Sequence, residues 1–254
     1  MHLTVALSVV LATLLVSVRL SPLFILAPVF GSMQVPAHLR VFLILALSLL
    51  MALALQLQPV SFPLTPGALI IAMAGELLVG AALAAGVMIP FAAFSFGGRL
   101  LDLQIGFGVA SLLDQATRAA TPLIGTALQM MAVAMFYLLD AHHVLIRGVA
   151  FSFERIPLAS GIAHLDIGFL VAYGGTLFSL GFILIAPVVA VLFFVDVGMA
   201  VMSRTMPQMN IFALGISVKV LVGMILLAMS IRYMGGVAMK IFMATFQFFD
   251  RVLQ

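Results

Sequence analysis

Long apolar runs organise this chain. They fall at residues 3–31, 41–56, 68–97, 122–139, 168–202 and 211–231, and a more amphipathic stretch follows at 235–253. A helix needs roughly 20 apolar residues to cross a hydrocarbon core. The run 41–56 is short for one crossing, whereas 68–97 and 168–202 are too long unless tilted or broken. Pro22, Pro28, Pro90 and Pro187 lie inside these runs, where a missing backbone N–H predicts kinks. The pattern predicts an all-α membrane protein with kinked and broken helices.

Composition sharpens this reading. Only 7% of the 254 residues are charged, against about 25% in soluble domains, and the mean hydropathy is +1.34. No cleavable leader stands apart from the first run, so that run is expected to be retained. The absence of Cys excludes disulfides, thiolate metal sites and thiol nucleophiles. Eleven Lys and Arg occur singly, and no cluster suits a phosphate backbone, so nucleic acid is not an expected partner. Counted over alternate loops, with Arg19 assigned to the loop after its run, Lys and Arg tie at five on each side. The positive-inside rule gives no orientation.

Glu76, Asp196 and Lys219 sit within apolar runs, where a charge facing lipid is costly. Either they pair or snorkel, or one of them relays protons; no cluster of acids supports the relay. With few partners expected inside the chain, they predict that it is unstable alone. Small residues recur at close helical spacing, as at Gly80, Ala84 and Gly86 and at Gly174, Gly175 and Gly181, and predict close helix contacts. The 17 Met and 21 Phe supply deformable apolar surface.

Candidate chemistry is sparse. Asp140, His142 and His143 are metal-competent residue types. Adjacent histidines on a helix point about 100° apart, so a metal site is not expected and a polar helix end is. There is no G-x-S-x-G, S-x-x-K or H-E-x-x-H, and no enzyme, cofactor or metal is predicted. "PQMNIF", with Pro207, Gln208, Asn210 and Phe212, separates two apolar helices. It reads as a tight hairpin turn or as a polar tip offered to a partner. The mixed segment 98–122 contains Gly98, Gly106 and Gly108, which lower helix stability and permit a bend.

In order, "VRLSPLFILAPVFGSMQVPAHLRVFLILALSL", "GELLVG", "GRLLDLQIGFGVASLLD", "TPLIG", "FYLLDAHHVLIRGVAFSFERIPLA" and "PQMNIFALGISVKVLVG" resemble the FliR family of the flagellar export gate, called SctT in injectisomes. The likeness covers essentially the whole chain. Two departures stand out: Asp114-Gln115 where the family usually has Asp-Pro, and Asp140-Ala141-His142 where it often has Asp-Gly-His.

The resemblance implies one such subunit joined to FliP-like and FliQ-like subunits in a closed helical channel in the bacterial inner membrane, at the flagellar basal body. Unfolded flagellar proteins pass through it. It implies a FliP-like part at 1–165 and a FliQ-like hairpin at 166–254, with an FlhB-like subunit at the "PQMNIF" tip. It also implies that segment 98–122 carries a plug, formed by Gln104, Ile105, Gly106, Phe107, Gly108, Leu112 and Leu113. Their apolar side chains suit a dewetted closure, and Asp102, Gln104, Asp114 and Arg118 would keep its flanks polar. A secondary transporter is the alternative. It requires internal repeats and a convergent polar site, neither of which is visible.

Overall fold

Backbone polar groups in hydrocarbon must bond within their own segment, which selects helices for runs this apolar. The computed structural model describes residues 2–28, 36–57, 65–108, 122–160, 167–206 and 211–252. Among the described residues there are seven helices and no strand: α1 His2–Leu26, α2 Ala37–Ala54, α3 Pro66–Ile105, α4 Leu123–Leu138, α5 Ala141–Arg155, α6 Ile167–Thr205 and α7 Ile211–Val252. Five are long and apolar enough to cross a membrane, and the pair α4 and α5, bent by 69°, makes a sixth candidate. The protein is an all-α integral membrane protein.

Two expectations change. The stretches 211–231 and 235–253 form one continuous 42-residue helix, Ile211–Val252, which runs through Arg232, Tyr233 and Met234 between them and through Gly235 and Gly236. Helices α1, α3 and α6 contain Pro22, Pro90 and Pro187 without ending there, and among the described residues α4 and α5 meet at a 69° bend, where Asp140 lies in the left-handed region at φ 53°. Finally, Arg19 lies inside α1 and is fully buried, and Arg99 lies inside α3. The five-against-five tie therefore counted residues that are not in loops.

Packing divides the chain into two compact units. The first comprises Met1–Ile89, Phe136–Gly174 and Thr245–Gln254. In it α2 packs on α1, and Leu15, Leu20, Leu83, Phe153 and Phe248 are buried. Of the predicted small-residue contacts, Gly80 and Gly86 make theirs here, whereas Gly174 does not, since a Cβ there would meet only Ile89 at 4.0 Å, and Gly175, in the other unit, has nothing within 4 Å. A Cβ on Gly80 would lie 2.1 Å from the Arg19 carbonyl oxygen, and one on Gly86 would lie 2.2 Å from the Phe248 ring. The Tyr173 hydroxyl donates to the Gly86 carbonyl at 2.9 Å, and its ring lies 4.4 Å from that of Phe248.

The second unit comprises Pro90–Met135 and Gly175–Ala244. Phe91 and Phe94 both meet the Phe242 ring, at 6.2 and 6.0 Å. Gly181 abuts the Ala93 carbonyl, where a Cβ would come within 2.8 Å. Backbones this close explain how α3 and α6 pack without large side chains between them.

Candidate functional site

The mixed segment begins inside α3, in the second unit. The helix runs unbroken past Gly98 to Ile105. It turns at Gly106, where φ is +105°, a conformation that glycine adopts without steric penalty. Phe107 and Gly108 are helical again and half-buried. Leu112 and Leu113, together with Asp114, Gln115 and Arg118, lie outside the described residues.

Asp102 is 3% exposed. Its carboxylate accepts the backbone N–H of Ile124 at 3.0 Å and of Gly125 at 2.9 Å. The start of α4 thus receives two acceptors for amides that have no partner within the helix, and a negative charge where the helix dipole favours one. Gly98 reinforces the junction, since a Cβ there would lie 2.4 Å from the Gly125 Cα. These findings correct two expectations: Gly98 serves close approach rather than a bend, and Asp102 is a buried cap rather than a polar flank. The cap could not be read from spacing, because donor and acceptor lie more than 20 positions apart and no local motif links them.

One turn beyond Asp102, Ile105 is fully buried and packs against Gly223 of α7, where a Cβ would come within 2.7 Å of it. Gln104 donates from Nε2 to Asp196 Oδ2 at 3.2 Å. The other oxygen of Asp196 is in an ion pair with Lys219. Both partners are part-buried, with side chains 37% and 23% exposed. Two of the three intramembrane ionisable residues are therefore partners, and Lys219 pairs rather than snorkels.

The third, Glu76, belongs to the first unit and is 3% exposed. It receives Arg19 Nε at 2.5 Å and the Ala159 N–H at 2.9 Å. Arg19 also donates to the Ser152 carbonyl and hydroxyl at 3.1 and 3.2 Å and to the Ile156 carbonyl at 2.9 Å. Its guanidinium lies 4.5 Å from the centre of the Phe153 ring. The network ties α1, α3 and the end of α5 together. The expectation that these charges have few internal partners is corrected. Arg19, an arginine inside an apolar run, carries the same sequence signal as Glu76 and belongs with it rather than with a loop.

The Asp140 turn is also in the first unit. Asp140 takes the left-handed conformation itself, so Ala141 is an ordinary, buried helical residue and the turn tolerates the absence of glycine there. The two histidines do not diverge as expected. Their rings lie 4.0 Å apart, and ligand atoms of Asp140, His142 and His143 fall within 4.8 Å of one another. His143 Nδ1 lies 3.3 Å from the Asp140 carboxylate, and both side chains are largely exposed. Pro207, Gln208 and Asn210 lie outside the described residues, and Phe212 falls in the first turn of α7.

Apolar helices of crossing length define an integral membrane protein. The sequence model of "Bacterial export proteins, family 1" matches residues 10–245. Flagellar biosynthetic protein FliR of Bacillus subtilis (strain 168) is 31% identical over 240 residues, covering 93% of this chain and 92% of the relative. The protein of the same name from Pectobacterium carotovorum subsp. carotovorum is 26% identical over 238 residues, with 93% and 90% covered. That from Aquifex aeolicus (strain VF5) is 26% identical over 246 residues, with 96% and 95% covered. The chain belongs to the FliR family, and its role is in flagellar protein export.

Proposed function

We propose that this chain is the FliR-type subunit of a flagellar export gate and that it carries the plug of that gate. It joins FliP-like and FliQ-like subunits in the inner membrane at the flagellar basal body, and unfolded flagellar proteins pass through the closed assembly. The observation that carries this reading is the pinning of the mixed segment at both ends. Asp102 binds the first amides of α4, so the chain that leaves α3 at Gly106 must return to the same place.

Helix lengths support an assembly that extends beyond a bilayer. At about 1.5 Å per residue, the 40, 39 and 42 residues of α3, α6 and α7 give about 60 Å each. That is roughly twice the hydrocarbon thickness. The FliP-like part is 1–165 and the FliQ-like hairpin 166–254. This is a division along the chain, and each packing unit draws on both parts. The hairpin tip, with Pro207, Gln208, Asn210 and Phe212, meets an FlhB-like subunit. The reading assigns the chain no catalytic step and no cofactor.

Co-expression tests the assembly. With FliP-like and FliQ-like chains the protein enters a single larger particle of defined mass. A particle that excludes it, or a stable monomer that ignores both chains, contradicts the reading.

A further inference from the structure

We propose that Gln104, Asp196 and Lys219 form a latch that holds the α3 foot of the plug against the α6–α7 hairpin. The inference rests on the plug reading above. Its observations lie within the second unit. Ile216, Lys219 and Gly223 are three and four residues apart and so share one face of α7. The end of α3 meets that face directly at Ile105 and Gly106, and through Asp196 of α6 at Gln104. Ile105 packs on Gly223, where no side chain would fit, and the Cβ position of Gly106 lies 3.7 Å from Ile216. Gln104 reaches the carboxylate that Lys219 neutralises.

The chemistry favours closure at this point. In apolar surroundings an unpaired Asp196 or Lys219 is costly, so each holds the other. The remaining carboxylate oxygen takes its hydrogen bond from Gln104, two residues before the backbone turns at Gly106. A hydrogen bond to a charged group is stronger than a neutral one, and partial exposure of the pair keeps it breakable. The latch therefore fixes the foot when the gate is shut and releases it without dismantling α6 and α7. Gln104, Asp196 and Lys219 are positioning residues; they act through the segment beyond Gly106.

The test uses the complete co-expressed particle in lipid vesicles, reading ion leak and particle mass together. Gln104→Ala keeps the ion pair and is expected to raise the leak about tenfold at unchanged mass, and by less than deletion of residues 107–113. Asp196→Lys and Lys219→Asp are expected to leak singly. Combined, they restore the seal, because the Gln104 amide oxygen can accept where its N–H donated. If the deletion leaks and Gln104→Ala does not, the latch is overturned and the plug stands. If the deletion itself does not leak, both fall. Should a single charge change disrupt the particle, Gln104→Ala, which leaves the pair intact, decides.

Discussion

The Asp102 carboxylate accepts the backbone N–H of Gly125 at 2.9 Å, across a separation of 23 residues. This contact closes the base of the mixed segment. It makes Asp102 a structural anchor between α3 and the start of α4.

Asp102→Ala is expected to leave two buried amides without their acceptor, at about 1–3 kcal/mol. The base of the loop loosens, so the variant is expected to leak ions and to melt earlier than the unaltered particle. Asp102→Asn keeps one acceptor and is expected to fall between them. Leak and melting temperature, measured on the same preparations, check the order.

Gly98→Val tests the same junction by steric means. A Cβ at 2.4 Å from the Gly125 Cα cannot be accommodated by a side-chain rotation, because the obstacle is backbone. Overpacking of this kind costs about 1–3 kcal/mol. The expected outcome is a lower yield of intact particle, read by mass. Full yield and an unchanged melting temperature would show that α3 and α4 are not held this close.

The Arg19–Glu76 pair is buried in the first unit, with the side chains 0% and 3% exposed. Removing one partner of a buried pair costs about 3–5 kcal/mol, whereas replacing both with apolar residues is often close to neutral. Arg19→Met is therefore expected to lower thermal stability strongly. Arg19→Met combined with Glu76→Met is expected to recover part of the loss. Additive losses in the double variant would mean that the two side chains act independently.

The sequence carried the helical class, the crossing candidates and the small-residue contacts at Gly80, Gly86 and Gly181 but not at Gly174 and Gly175, because hydropathy and glycine spacing are local signals. Partner identities were not local. Glu76 and Arg19 are 57 residues apart, and Asp196 finds Gln104 across 92. Only the fold brings such residues together. The same limit hid the Asp102 cap and made Arg19 look like a loop charge. Glycine composition was misread at Gly98 for a related reason: glycine signals either flexibility or close approach, and the neighbour decides which. Gly106 is the turning case, marked by its positive φ.

At the hairpin tip, Gln208→Ala with Asn210→Ala is expected to reduce export while the particle keeps its mass. An intact particle that no longer retains an FlhB-like chain would place the partner there. Dissociation of the particle would instead make the tip a structural turn.

The most direct test of the central claim is ion conductance of the assembled particle lacking residues 107–113, with its mass measured on the same sample. The deletion spares Gln104 and Ile105, which are half-buried and buried residues of α3, and leaves the Asp102 anchor in place. A seal made from several apolar side chains fails in proportion to the surface removed, so Phe107→Ala is expected to leak less than the deletion. The account predicts an intact particle with raised conductance; an intact particle with no added conductance would contradict it.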